Sequence, residues 1–285
     1  MKQMNRGVAF AFCAFAALGA WAKNAKDVAH EFLYEGVPAG WMTAEPTVRK
    51  VADNDRFVRS VREWTSPDGR LVLRSTKTDY KRFPAVEYLP ELICRGSADT
   101  GIVADFHSLA LTSPGKSFVV RALKGTKATE RDFEAVHFRL GEGGEKAVAL
   151  TTDEGRSSAE WMPWWNVDFA DGSGLVCAVG WTGAWRADFA QGDGTMKMTA
   201  GMVKTHFRLH PGETLRQPSV LVFRREKAVS PRAMLTLVHR FMLDEKCPRN
   251  VRGELVKPLL PITAGGGNKT PEMMRKGELR SAIIG

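Results

Sequence analysis

The segment PWWNVDFADGSGLVCAVGWTGAW, residues 163–185, decides the fold class because it sets a strand among tryptophans and tight turns. The centre of the segment, Leu175 to Val179, is apolar at every position. Such a run is typical of a strand that is covered on both faces. Glycines and aspartates bound the strand and supply its turns. The segment therefore predicts a central strand in a layered β structure, surrounded by bulky aromatic side chains.

Short β-rich segments separated by Gly, Pro and Asp recur on both sides of this strand, up to about residue 225. They read RLVLRSTKTDY, AVEYLPELI, KSFVVRAL, EAVHFRLG, KAVALTT, MVKTHFRLH and SVLVFRRE. Within VKTHFRLH polar and apolar residues alternate, so His206 and His210 share the polar face of a predicted strand. Eight or more such strands predict an all-β fold, a large antiparallel sandwich.

The pattern changes at Ser230, which is a good N-cap residue followed by Pro231 at the first helical position. Apolar residues then recur with helical spacing between residues 234 and 242. They predict an amphipathic helix that ends near residues 244–247. After two prolines and three glycines, Thr270 and Pro271 form a second cap pattern and predict a short helix through about Ser281.

The N-terminus has the pattern of a secretory signal peptide. Lys2 and Arg6 precede an apolar run from Gly7 to Trp21, and the small residues around Trp21 suit cleavage after Ala22. No later segment is long and apolar enough to span a bilayer. We therefore expect an exported protein, periplasmic or extracellular, with no membrane association after the signal peptide is cleaved.

Charge and cysteine usage exclude several function classes. The net charge is +9, but no run of five basic residues occurs, which argues against a nucleic-acid partner. Of the four cysteines, Cys13 lies in the predicted signal peptide. The three that remain, Cys94, Cys177 and Cys247, are an odd number without CxxC spacing, so neither a disulfide scaffold nor a zinc site is expected. Lys204 and Arg208 share the polar face of the two histidines and would repel a cation. We expect no metal and no cofactor.

The tryptophans are the strongest candidate site. Five of them fall within residues 161–185, and indole faces stack well on sugar rings. Trp165, Trp181 and Trp185 are therefore candidate substrate-binding residues, with Asp168 as an acceptor for sugar hydroxyls. The alternative is that these rings fill a sandwich core or an interface with another domain. The serines of GRSS, residues 155–158, lie outside any nucleophile elbow and are interpreted as part of a tight loop.

Four separate motifs, FPAVE, GRSS, GWTGAW and HPGE, occur in an order that resembles the N-terminal region of the α-galactosidases of glycoside hydrolase family 36. The resemblance covers roughly residues 31–275. It implies a β-supersandwich followed by a linker helix and the start of a (β/α)8 barrel. We therefore predict a signal peptide at 1–22, a sandwich domain at 23–228, a linker helix and loop at 229–256, and an incomplete barrel at 257–285.

The resemblance also implies a function. The intact relatives hydrolyse terminal α-galactosides with two aspartates on later barrel strands, so this chain is expected to carry no catalytic residue. Asp79 in KTDYK precedes FPAVE and is assigned to the sandwich. The implied partners are an α-galactoside, the missing catalytic barrel and further copies of the chain.

Two alternatives stay open. The first is a stand-alone carbohydrate-binding module, which would present an exposed, flat row of tryptophans. The second is an enzyme built on the sandwich, similar to sugar mutarotases or lyases, which would need a His and a carboxylate within hydrogen-bond reach in a cleft.

Overall fold

The computed structural model describes residues 29–152 and 154–256. The predicted signal peptide at 1–22 and the predicted barrel segment at 257–285 lie outside the described residues. Most of the described part is antiparallel β-structure, which confirms the all-β prediction.

The described residues form seventeen strands. The strands of the first half are β1 (Ala29–Tyr34), β2 (Val37–Pro38), β3 (Thr47–Asp53), β4 (Phe57–Thr65), β5 (Leu71–Tyr80), β6 (Ala85–Cys94), β7 (Val103–Pro114), β8 (Ser117–Lys124) and β9 (Ala135–Gly141). Those of the second half are β10 (Ala147–Thr151), β11 (Trp161–Phe169), β12 (Gly174–Gly180), β13 (Trp185–Gly192), β14 (Thr195–Met202), β15 (His206–Phe207), β16 (Thr214–Arg216) and β17 (Ser219–Arg225). A 3₁₀ helix (Gly40–Thr43) lies between β2 and β3, and helix α1 (Pro231–Phe241) follows β17.

The strands form two antiparallel sheets. The larger sheet has ten strands in the order β3-β4-β5-β6-β17-β12-β11-β8-β9, with β16 also paired to β6. The smaller has seven strands in the order β10-β13-β14-β7-β1-β2, with β15 also paired to β7. Residues that alternate along each strand point to opposite faces, so each sheet buries one row of side chains against the other sheet.

Two clusters of buried apolar residues fill the sandwich. The first, which we call the aromatic cluster, contains Trp165, Trp185, Phe189, Cys177 and Tyr88 among others. The second, which we call the Phe106 cluster, has nine buried members: Phe32, Ala39, Leu71, Leu73, Leu92, Cys94, Val103, Phe106 and Leu209. Both draw on the two sheets, so together they hold the layers in contact.

Strand β12 lies in the interior of the larger sheet, as predicted. Its coverage differs from the prediction, because Leu175, Cys177 and Val179 are buried while Val176 and Ala178 are only half-buried. The apolar run therefore overstated the burial of the outer face. The predicted strand in VKTHFRLH is also shorter than expected, since only His206–Phe207 pairs with β7.

Helix α1 begins as the sequence predicts, with Ser230 Oγ accepting a hydrogen bond of 3.2 Å from the amide of Ala233. The α-helix ends at Phe241 and continues as a π-helical turn, Met242–Lys246.

Inter-residue contacts divide the chain into one unit up to Leu237 and another from Val238. None of the helices within 29–152 and 154–256 has the length and apolar character needed to cross a membrane.

Candidate functional site

Trp165 and Trp185 meet in the middle of the aromatic cluster. Their rings stack with centroids 5.8 Å apart and planes 20° from parallel, and Phe189 meets Trp165 edge-on at 5.7 Å. Neither indole has any exposed surface. Trp165 sits on β11 and Trp185 on β13, so the stack joins the larger sheet to the smaller one. In this structure both rings serve the core, the alternative that the sequence left open for them.

The polar ends of the two buried indoles have partners inside the protein. Nε1 of Trp185 donates a hydrogen bond of 2.6 Å to the carbonyl of Ser157. Nε1 of Trp165 points to the sulfur of Met198 at 3.3 Å. Because a buried N–H without a partner is costly, these contacts fix each ring in one orientation. The first contact also anchors the GRSS loop to the core.

Trp181 is different, because it lies half-buried in the loop that carries the chain from β12 to β13. It packs against the edge of the aromatic cluster. A Cβ on Gly183 would stand 3.0 Å from the indole Nε1, so glycine lets the ring fold back over its own loop. Among the four candidate residues, Trp181 alone combines an aromatic face with partial exposure.

Asp168 lies on the outer face of β11 and is held by two arginines. Its carboxylate accepts a hydrogen bond of 2.6 Å from Arg121 Nε and one of 2.7 Å from Arg225 Nη2. Arg225 is nearly buried and also donates to the backbone of the turn that follows β11. Both oxygens of Asp168 are thus engaged, one linking β11 to the adjacent β8 and the other reaching across β12 to β17.

The GRSS segment forms a tight loop, as the sequence indicated, and backbone hydrogen bonds join this loop to its neighbours. The carbonyl of Ser158 accepts a hydrogen bond of 2.8 Å from the amide of Thr126. A Cβ on Gly125 would lie 2.1 Å from that same carbonyl oxygen, so only glycine allows this close approach. The amide of Ser157 in turn bonds the carbonyl of Thr182 at 3.2 Å, which joins the loop to the Trp181 segment.

Two carboxylates beside this loop share one lysine. Lys127 Nζ bonds Glu154 at 2.7 Å and also bonds Glu160. Glu154, more than Glu160, raises the pKa of Lys127, and the lysine in turn lowers the pKa of Glu154. A general acid needs a pKa near or above the working pH. The paired, ionised Glu154 therefore serves as an ion-pair partner.

His206 and His210 lie on an exposed, polar stretch, as predicted. His210 Nδ1 lies 2.9 Å from Asp99 Oδ1, and this hydrogen bond raises the pKa of His210. No group of three His, Cys, Asp or Glu side chains with metal-binding geometry occurs among the described residues. The pair has the reach of an acid–base dyad, but both side chains are exposed rather than enclosed in a cleft.

Sequence reasoning missed His30, a buried histidine that connects the two sheets. Because a carbonyl can only accept, Nδ1 carries the proton and donates 2.8 Å to the carbonyl of Ser108. Nε2 then accepts from Ser75 Oγ at 2.7 Å. The ring also stacks on Phe106 with centroids 6.2 Å apart. Burial lowers the pKa of His30 to about 4, with a smaller lowering from the charge of Arg62.

A weak signal for His30 exists in the sequence. His30, Phe32 and Tyr34 alternate along β1, so they share one face of the strand. The strand lies close to the predicted signal peptide and has no turn motif before it, and for that reason it was not identified. Its two polar partners are 45 and 78 residues away along the chain, so no local pattern could reveal them.

No protein-family model matches the chain, and no curated protein matches it by sequence.

Solved structures do match it. A family 36 α-galactosidase from Geobacillus stearothermophilus in complex with raffinose aligns with a TM-score of 0.61 and 14% identity, over 79% of this chain and 33% of its own. An α-galactosidase from Lactobacillus brevis gives 0.51 and 13%, over 71% and 27%. The galactosidase domain of an α-galactosidase–sucrose kinase gives 0.53 and 14%, over 69% and 29%.

These similarities establish the fold, since the identities are low. The described chain has the sandwich architecture found in part of the family 36 α-galactosidases, which agrees with the resemblance of the motifs. The chain spans about a third of the length of the solved structures that it matches.

Proposed function

We propose that this chain is the N-terminal, non-catalytic β-sandwich portion of an exported α-galactosidase-like glycoside hydrolase that acts on terminal α-galactosides. The observation that carries the proposal is the likeness to α-galactosidases over more than two thirds of this chain and only about a third of theirs. The order of the motifs FPAVE, GRSS, GWTGAW and HPGE supports the same assignment.

The chemistry of the sandwich supports a non-catalytic role. A glycosidase needs two carboxylates that face one bond in a shared cleft, about 5 to 10 Å apart. The carboxylates near the tryptophans are instead occupied: Asp168 by two arginines, Asp171 by Ser173, and Asp188 by Arg186. In the proposed enzyme the nucleophile and the acid/base belong to the barrel, and the reaction is a retaining double displacement.

The sandwich then contributes support and a contact surface. Its partners are the catalytic barrel, the α-galactoside and further copies of the chain. The half-buried Trp181 and the backbone-anchored loops around it form the part that could line the rim of a sugar site. Trp185 would support that rim from behind through its hydrogen bond to Ser157, and Trp165 through its stack on Trp185. Asp168 would hold the sheet beside them through its two arginines.

The rival function is a stand-alone carbohydrate-binding module. Such modules display aromatic rings whose faces are open to the sugar. Every tryptophan in the described residues is buried or half-buried, so a flat exposed row is not found there. The proposal of an α-galactosidase portion is therefore preferred.

The decisive experiment determines the coding sequence downstream of the codon for Gly285 and assays the product. We expect an open frame for a barrel of about 250 residues that carries two catalytic aspartates. The full product should release galactose from raffinose, and a matched product ending at residue 256 should not. Activity in the shorter product, or a full product that is inactive on α-galactosides, would refute the proposal.

Export is tested separately by N-terminal sequencing of the protein recovered outside the cytoplasm. Cleavage after Ala22 predicts a mature chain that begins at Lys23. Recovery of the uncleaved chain in the cytoplasm would contradict export without affecting the assignment of the sandwich.

A further inference from the structure

A layer of polar residues interrupts the core of the sandwich where its two apolar clusters meet. His30, Ser75 and Ser108, which we call the polar layer, are all buried there, and the ring of His30 contacts Tyr88 of one cluster and Phe106 of the other. His30 accepts a hydrogen bond from Ser75 Oγ and donates one to the carbonyl of Ser108. These bonds satisfy His30 and the hydroxyl of Ser75, but they do not involve the hydroxyl of Ser108.

A bulge in β7 accounts for the burial of Ser108. The pairing of β1 with β7 shifts at His30, so that two residues of β7, Ser108 and Leu109, lie opposite this one residue of β1. A bulge of this kind changes the direction of the side chains beside it. Ser108 has no exposed surface, and its Oγ makes no hydrogen bond with any of the described residues.

Gln217 lies in the same row of the larger sheet as Ser75. The pairing of β16 with β6 continues one residue beyond Arg216, where the amide of Gln217 donates a hydrogen bond of 2.9 Å to the carbonyl of Pro90. Pro90 is in turn the register partner of Ser75 on β5. Because Ser75 bonds His30 of the smaller sheet, this row faces the polar layer.

The side chain of Gln217 is fully buried and has open hydrogen-bonding positions. It has no exposed surface, and neither its Oε1 nor its Nε2 bonds any group among the described residues. A primary amide offers two N–H donors and an oxygen acceptor. Leaving such groups unbonded in a protein interior is costly, and buried polar groups that the protein does not satisfy are bonded to ordered water in native structures.

The surroundings suit a small, neutral ligand that both donates and accepts hydrogen bonds. Strand β7, which carries Ser108, contacts β6 and β17, the strands next to Gln217. A cavity of about 190 Å³ lies beside the row, with Ser75 and His30 in its wall, and one water needs roughly 10 to 15 Å³ of such space. The polar layer carries no charge at neutral pH, because burial lowers the pKa of His30 to about 4.

We propose that Gln217 and Ser108 form an internal hydration site, in which bound water completes the hydrogen bonds that the protein leaves open and joins the larger sheet to the smaller one beside His30. The water is then a permanent part of the folded structure. The site lies within the sandwich and does not depend on the assignment of the chain to an α-galactosidase.

Oxygen-17 magnetic relaxation dispersion on the purified chain tests the site, because it counts the water molecules that stay bound inside a protein in solution. We expect Gln217→Met and Ser108→Ala each to lose at least one long-lived water relative to the wild-type chain. The matched control is Ser66→Ala. Ser66 is also buried, but its hydroxyl donates 2.5 Å to Asp68 and accepts 2.9 Å from the amide of Leu71, so the count should stay unchanged.

A crystal structure of the wild-type chain protects the test against misfolding of the variants, which circular dichroism monitors. It should show ordered water within hydrogen-bond distance of the Gln217 amide and of Ser108 Oγ. Three results would overturn the proposal: an unchanged water count in folded Gln217→Met and Ser108→Ala protein, an equal loss of water in Ser66→Ala, or a crystal structure in which the Gln217 amide and the Ser108 hydroxyl bond only protein groups.

Discussion

The aromatic cluster and the polar layer, which consists of His30, Ser75 and Ser108, fill the interior of the same sandwich in different ways. Around Trp165 the two sheets meet through stacked rings that have no exposed surface. Around His30 they meet through its hydrogen bond to Ser75 of the larger sheet, while Ser108 of the smaller sheet fixes the other ring nitrogen, and a cavity of about 190 Å³ remains beside them. The first region is built for dense packing, and the second keeps space and polar groups.

The difference shows that one sandwich fills its interior in two ways that differ in their contribution to stability. Dense aromatic packing supplies apolar burial, which is the dominant favourable contribution to folding. A polar layer with a cavity beside it contributes less, because it buries polar groups and leaves space unfilled. The two regions should therefore respond very differently to substitution, to pH and to thiol reagents.

The largest effect is expected for Trp165→Ala in the aromatic cluster. Removing a fully buried indole loses its transfer free energy and leaves a cavity, so the free energy of unfolding should fall by about 3 to 5 kcal/mol. Urea unfolding followed by tryptophan fluorescence and circular dichroism measures this loss. The neighbour Trp164 is half-buried, and Trp164→Ala should cost roughly 1 kcal/mol. Equal losses in the two variants would show that the Trp165 environment is not the dry core described here.

The next largest effect is the dependence of the free energy of unfolding on pH, to which His30 contributes. The unfolded state takes up a proton near pH 6.5, whereas burial lowers the pKa of His30 in the folded state to about 4. The unfolded state therefore binds more protons between these values, and the free energy of unfolding falls as the pH drops from about 6.5 to about 4. The loss amounts to roughly 3 kcal/mol and then levels off. Urea unfolding at pH 7 and at pH 4 measures it.

His30→Gln removes the titration and is the matched reference, because the acid titration of the carboxylates cancels in the difference between the two proteins. The titration of His210 changes the free energy of unfolding with pH in the opposite direction. Its hydrogen bond to Asp99 raises its pKa, so its stabilising contribution is complete below the unfolded pKa and is lost as the pH rises through the folded value. If the wild-type chain and His30→Gln lose the same stability between pH 7 and pH 4, the polar layer does not hold a neutral histidine.

A smaller effect is expected for Asp168→Asn on the outer face of β11. The substitution removes the charge that holds Arg121 and Arg225, and hydrogen bonds to charged groups contribute about 1.5 to 3 kcal/mol each when shielded. Since Asp168 is partly exposed, we expect a loss of about 2 kcal/mol in urea unfolding. Asp188→Asn, which removes an exposed pair with Arg186, should cost less than about 1 kcal/mol. A loss no larger than that of Asp188→Asn would point to Asp168 being available for a ligand rather than committed to structure.

Sequence analysis correctly predicted strands such as β5, β6, β12 and β17, because each contains an apolar run bounded by turn residues. It did not predict β7 and β11, and the reason is physical. The pairing of β11 with β8 shifts register between Trp161 and Trp165, and the pairing of β7 with β14 shifts near Gly201. Such bulges break the two-residue period on which strand prediction depends.

The site was less predictable than the fold. Trp164 and Trp165 are identical in type and adjacent, so only the register of β11 decides which ring is buried. The Arg62 and Ser75 pair arises from the register of β4 against β5, and His30 reaches Ser108 through the pairing of β1 with β7. These contacts come from strand pairings that no local segment encodes.

The smallest expected effect is a difference in the rate at which a thiol reagent modifies the cysteines of the two core regions. Cys177 lies in the aromatic cluster, where burial raises the pKa of its thiol, and Cys94 lies in the Phe106 cluster at the end of β6. Thiolates are the reactive form, so both depend on local opening to react. Because strand ends open more readily than strand centres, iodoacetamide should modify half-buried Cys247 first, Cys94 at the end of β6 next, and Cys177 in the middle of β12 last, as mapped by peptide mass spectrometry of the native protein. Faster modification of Cys177 than of Cys94 would reverse the comparison, since it would make the aromatic cluster the region that opens more easily.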